Sequence, residues 1–163
     1  MAVNWVLAVR GVQVVLSVVV LGLMGYVVSS WWTAHWRQSS PTEINFMVAT
    51  PVWSILALPV LAIVPWKIPR TTETMVAKIA FLVLEWITML FWMGGFIALA
   101  LFLNDRICFG TVCNIAKAAT VISAIQWAAW AATASWGMFF FFRVAMKGGV
   151  RKLDRKVEMH QGV

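Results

Sequence analysis

Residues 12–30 read VQVVLSVVVLGLMGYVVSS, a run without a single charge. At 1.5 Å per residue, a helix of this length matches a hydrocarbon core of about 30 Å. A cleaved signal peptide has a shorter apolar stretch of roughly 7–15 residues and ends at a small-residue cleavage site. Here Trp31, Trp32 and Trp36 follow instead, as an interfacial aromatic belt would. The segment is therefore expected to stay in the membrane, spanning about 11–32.

Three further apolar runs follow. Phe46 to Val64 begins after Pro41-Thr42-Glu43 and contains Pro51 and Pro59. Prolines are costly inside soluble helices but tolerated in membrane spans, so a kinked helix over 45–65 is expected. Pro65 and Pro69 close that run. Ile79 to Leu103 is broken only by Glu85 and the Gly94-Gly95 pair, and Ile115 to Phe142 is rich in alanine. These predict spans over 77–103 and 115–142, long enough to tilt or project. No ten-residue alternation of the β-barrel kind is present. The expected fold is all-α, an integral membrane four-helix bundle. It divides into a four-span domain over 1–145 and a basic tail over 146–163.

Composition agrees. The chain is 62% hydrophobic and 12% charged, with mean hydropathy +0.85, whereas a soluble domain carries about 25% charged residues. The net charge of +7 could suggest nucleic acid, but the charges sit almost entirely outside the apolar runs, as topogenic charge does. One side of the membrane would hold Arg10, Lys67, Arg70, Lys78, Arg143, Lys147, Arg151, Lys152, Arg155 and Lys156. The other would hold only Arg37, Arg106 and Lys117. The positive-inside rule then puts both termini in the cytosol.

The loop between spans three and four carries the chain's two cysteines, Cys108 and Cys113, with Gly110 between them to permit a tight turn. On this topology the loop faces the lumen or exterior, where disulfides persist. A local disulfide fixing the shape of a short hairpin is expected. A structural zinc site needs four ligands and finds no histidine here. A thiol oxidoreductase would usually need a reactive pair, often Cys-x-x-Cys, together with a second pair or a quinone partner.

Glu85 is the carboxylate within the spans, and an intramembrane ionisable group is a functional candidate by default. Lys78 shares its helical face two turns away. Gln126 of span four, at similar depth, is the expected direct partner, with a protonated Glu85 bonding across helices to set their register. On that reading Glu85→Gln preserves folding and localisation. A proton relay or ion path normally shows several such groups. The histidines, His35 and His160, lie outside the spans, which leaves no bis-His haem site. No phosphate loop or catalytic arrangement is present, so neither cofactor nor enzyme activity is expected.

Packing signals are plain. Ala124, Ala128 and Ala132 repeat at four-residue spacing beside Ala131 and Ser135, and Gly94 pairs with Ala98. Such faces let helices approach closely in lipid, within one bundle or between two copies. Trp5, Trp31, Trp32, Trp36 and Trp66 fall near expected interfaces. Trp53, Trp86, Trp92, Trp127 and Trp130 lie deeper and read as bundle-filling or lipid-facing bulk.

Several short elements recur in order. Pro41 to Phe46 introduces span two, with Val52-Trp53-Ser54 inside it. Span three carries Leu84-Glu85-Trp86-Ile87-Thr88, Phe91-Trp92 and Gly95-Phe96-Ile97-Ala98-Leu99-Ala100, and the Cys108/Cys113 loop leads into Ala116-Lys117-Ala118-Ala119. Over roughly 8–145 the chain resembles the fungal branch of the MARVEL-domain proteins. That resemblance implies an M-shaped tetraspan with cytosolic termini, and work in membrane apposition, lateral organisation or vesicle traffic. It implies no catalytic residues. The plasma membrane or a secretory-pathway membrane is the expected location, with lateral protein partners or further copies of the chain.

The tail adds Arg143, Lys147, Arg151, Lys152, Arg155 and Lys156 close to the end of span four. Such clusters bind anionic lipid at about 1 kcal/mol per basic residue. The alternative function is a small transporter, channel or accessory subunit using Glu85. A glycosylation acceptor appended to the C-terminus tests the orientation. It should stay unmodified in cells, and modification would invert the topology.

Overall fold

The computed structural model describes residues 2–34, 41–67, 75–104 and 110–160. They form four helices: α1 (Ala2–Ala34), α2 (Thr42–Lys67), α3 (Met75–Asn104) and α4 (Thr111–His160). Each carries a stretch long and apolar enough to cross a bilayer: Val6–Ser30, Thr42–Val64, Val76–Asn104 and Thr111–Arg143. These overlap the expected spans, and the first begins earlier than 11, taking Arg10 inside it. The helix of α4 also runs on past the last span to His160.

The helices close into a ring. α1 packs on α2, α2 on α3, α3 on α4, and α4 returns to α1, with no backbone packing across either diagonal among the described residues. Short connections make sequential neighbours antiparallel, so the start of α1 and the end of the fourth span share one end of the bundle.

Burial follows the inverse of a soluble bundle's logic. Leu7, Val15, Leu56, Val76, Leu101, Val121 and Phe142 are exposed on the outside, where lipid tails are as apolar as the side chains. The interior combines Val20, Met24, Met47, Leu58, Trp92, Leu99 and Trp130 with buried polar groups on all four helices. A polar group facing hydrocarbon would cost several kcal/mol unless bonded, so these faces turn inward. The expectation for the deeper tryptophans holds. Trp92 and Trp130 are fully buried, Trp86 and Trp127 pack against the core, and Trp53 straddles its edge. Trp5, Trp31, Trp32, Trp36 and Trp66 lie outside the described side chains.

α2 runs unbroken through three prolines, Pro51, Pro59 and Pro65, so the helix does not close at Pro65 as expected, and local chemistry at Pro51 shows how. Pro51 offers no N–H to the Met47 carbonyl. Flanking hydroxyls brace the same turns: Thr50 Oγ1 donates to Phe46 O at 3.0 Å and Ser54 Oγ to Thr50 O at 3.0 Å. At the start of α4, Gly110 has φ 95°, the left-handed region that glycine enters without penalty. Asn114 N then donates to Gly110 O.

The small residues divide by role. A Cβ on Gly95 would lie 2.7 Å from Met47 Sδ, whereas one on Gly22 would meet nothing within 4 Å. Gly95 therefore leaves room for the buried Met47 side chain between α2 and α3. On α4 the stripe continues outward, since Ala128, Ala132 and Ser135 are exposed. Gly95→Val should lower detergent-solubilised stability by about 1–3 kcal/mol through overpacking. Gly22→Ala should leave it unchanged or raise it by up to about 1 kcal/mol through helix propensity. Thermal unfolding in mild detergent checks both.

Candidate functional site

The candidate site is a polar track across the bundle interior. It begins on α1, where Arg10, Gln13 and Ser17 recur at i, i+3 and i+7. That spacing places all three on one helical face, and all are buried. Arg10 lies about one turn inside the first span, on the diagonal from α3. Its Nη2 donates to Glu85 Oε1, forming a salt bridge between helices whose backbones do not touch.

The guanidinium makes two further contacts. Nη1 donates to Gln13 Oε1 at 3.0 Å. The cation also sits 5.0 Å from the centroid of the Trp130 ring on α4, close enough for cation–π attraction. Glu85 is equally enclosed: a Cβ on Gly137 of α4 would come within 3.3 Å of its Oε2. One ion pair thus collects α1, α3 and α4.

Gln126 stands apart from this pair. Its Nε2 donates to Gln13 O at 2.9 Å and to Ser17 Oγ at 3.1 Å, while Ser17 Oγ donates to Gln13 O at 2.8 Å. The expected Glu85–Gln126 bond is not made. Gln126 ties α4 to α1, and Glu85 takes the guanidinium as partner, a stronger acceptor–donor match than an amide. Arg10 is likewise corrected: it is an interior residue, not one of the topogenic charges.

A second polar set joins α2 to α3. Trp92 Nε1 donates to Ser54 Oγ at 2.8 Å and Trp53 Nε1 to Thr88 Oγ1 at 3.1 Å, with Thr88 Oγ1 donating to Leu84 O at 2.8 Å. Phe91 adds edge-on contacts to Phe46 and Trp53 at 6.0 and 5.7 Å. The short elements that carried the family resemblance are largely this interface.

The family model described as MARVEL, a membrane-associating domain, matches residues 4–136. The chain belongs to the MARVEL family. Comparison with curated proteins and with solved structures returns no match. The MARVEL match covers Arg10, Gln13, Ser17, Glu85, Gln126 and Trp130 and ends before Gly137 and the tail.

The remaining site expectations divide. Cys113 is buried in the first turn of the MARVEL domain's α4 and is not a free thiol, while Cys108 lies outside the described residues. Arg143 is exposed and stacks its guanidinium 4.8 Å from the Phe139 centroid at the end of the fourth span. The side chains of Lys147, Arg151, Lys152, Arg155 and Lys156 lie outside those described. Among the described residues, no three His, Cys, Asp or Glu converge as a metal site would require.

Sequence reasoning missed Arg10, Gln13, Ser17 and Trp130 as one unit. The signal was the polar i, i+3, i+7 pattern within an otherwise apolar helix. The pairing also reverses the expectation for Glu85→Gln, because the substitution strands a buried guanidinium. Glu85→Gln and Arg10→Met should each destabilise by about 3–5 kcal/mol. Arg10→Met with Glu85→Gln should recover most of that loss. A double-mutant cycle in detergent reads the coupling, and additive costs would show that the two side chains act separately.

Proposed function

We propose that this MARVEL protein is a non-enzymatic membrane organiser that acts through its lipid-facing helices and its basic tail. Supporting this, Glu85, the one carboxylate placed to serve a transport path, is bonded to Arg10 and helps hold the bundle together. The family is membrane-associating, and large apolar side chains are exposed along all four spans. Work is therefore assigned to that outer surface. It includes the Ala128, Ala132 and Ser135 stripe of α4, whose small residues permit close approach of another helix.

The finer reading follows the sequence. The protein is of the fungal branch, sits in the plasma membrane or a secretory-pathway membrane, and has both termini in the cytosol. Cys108 and Cys113 form a disulfide that shapes the lumenal or exterior hairpin. Arg143, Lys147, Arg151, Lys152, Arg155 and Lys156 contact anionic lipid at the cytosolic leaflet. Lateral association, with further copies or with other membrane proteins, lets such a bundle organise apposed membranes, microdomains or vesicles.

Native mass spectrometry from lipid nanodiscs is the direct test. The expected result is lipid-bearing assemblies whose protein mass exceeds that of one 18.2 kDa chain. A lone bundle supporting Glu85-dependent ion flux in proteoliposomes would instead establish transport.

A further inference from the structure

The fourth span ends at Arg143, yet its helix continues as one element to His160. At 1.5 Å per residue, residues 144–160 extend roughly 25 Å beyond it. The last described side chains of this helix are telling. Phe139 is 51% exposed, Phe142 55% and Met146 64%, an apolar stripe on the lipid-facing side that persists past the end of the span. Helical register carries that stripe onward. Positions 146, 150, 153 and 157 recur at spacings of four, three and four, which share one face, and they hold Met146, Val150, Leu153 and Val157.

The other faces hold charge. Lys147, Arg151, Lys152, Arg155 and Lys156 stand with the acidic residues Asp154 and Glu158 at the remaining register positions. Between the span and this amphipathic segment lies Gly148-Gly149. Glycine is the weakest helix former after proline, so a bend is cheapest there.

Direction decides the occupant. When a helix leaves a bilayer and bends outward, the face that pointed sideways into lipid becomes the face that points down onto the membrane. Here that face is the apolar one; by register Lys152 and Lys156 border it on one side, Asp154 and Glu158 on the other, and Arg151 and Arg155 lie farther round. An apolar face opposite a polar one with a basic excess, here Arg151, Lys152, Arg155 and Lys156 against Asp154 and Glu158, is the pattern of an interfacial helix. A second copy of the tail fits less well, because its basic excess would face an equal excess.

We propose that residues 150–160 form an in-plane amphipathic anchor, hinged at Gly148-Gly149, that seats on an anionic lipid surface. The anchor rests on the lipid contact assigned to the tail above and specifies its geometry. It makes the tail a sensor of leaflet charge attached directly to the bundle.

The test uses the full chain in vesicles of phosphatidylcholine alone or mixed with phosphatidylserine. An environment-sensitive fluorophore on an unnatural amino acid replaces Leu153 or, on the opposite face, Arg151. With phosphatidylserine, position 153 should shift to the blue and resist an aqueous quencher while 151 remains quenched. Each basic residue changed to glutamine should weaken seating about fivefold. Gly148→Ala with Gly149→Ala should reduce the shift at 153.

Equal quenching at 153 and 151 in phosphatidylserine vesicles would overturn the anchor. If phosphatidylserine still enriched around the protein in that case, the simpler lipid contact would survive it. Loss of that enrichment as well would remove both. Burial of 153 that follows protein density and ignores lipid charge would assign the stripe to a second copy, and would equally overturn the proposal.

Discussion

A guanidinium and a carboxylate face each other inside a bundle whose outer surface is apolar, and neither has another charged partner there among the described residues. Each group alone would be costly at membrane depth, by about 2.5–3.5 kcal/mol or more. Together they satisfy one another, and Gln13 and Trp130 complete the enclosure of Arg10. A buried ion pair is seldom better than well-packed apolar residues for stability alone. Its contribution here is register. Arg10 meets Glu85 at one axial offset and one rotation of α1 and α3, and any slip leaves two charges unmatched.

The rest of the bundle follows from that alignment. With α1 rotated so that Arg10 points inward, Gln13 and Ser17 come to α4 on the same face, and Gln126 joins them. With α3 rotated so that Glu85 points inward, Thr88 and Trp92 are positioned against Trp53 and Ser54 of α2. Hydrogen bonds between membrane helices average well under 1 kcal/mol each in measured cases. Their joint effect is to penalise alternatives. Gly95 and Gly137 supply close approach where Met47 and Glu85 need room.

Much of this was legible from residues alone. Four charge-free or nearly charge-free runs announced four spans, because a bilayer demands length and apolarity with little tolerance. The short aromatic and hydroxyl elements pointed to the MARVEL family and prove to be the α2–α3 interface. The partner of Glu85 was not legible. Arg10 stands near the start of its apolar run, where a charge reads as a boundary marker, and only packing shows whether it faces solvent or the interior. Gln126 reads from sequence as an intramembrane polar residue, but similar depth does not determine azimuth around a four-helix ring, and its partners lie on α1 rather than α3. The helical continuation of α4 is not legible either, because Gly148-Gly149 marks a break just past the apolar run although the residues beyond it are mostly good helix formers.

The central claim is that Arg10 and Glu85 are bonded partners across the diagonal of the bundle. Solid-state NMR on the protein in lipid bilayers reads this directly, with nitrogen-labelled arginine and carbon-labelled glutamate. A dipolar contact between the Arg10 guanidinium and the Glu85 carboxylate, lost in Arg10→Met, is the predicted result. No contact, or a Glu85 carboxyl coupled instead to the Gln126 amide, would contradict it.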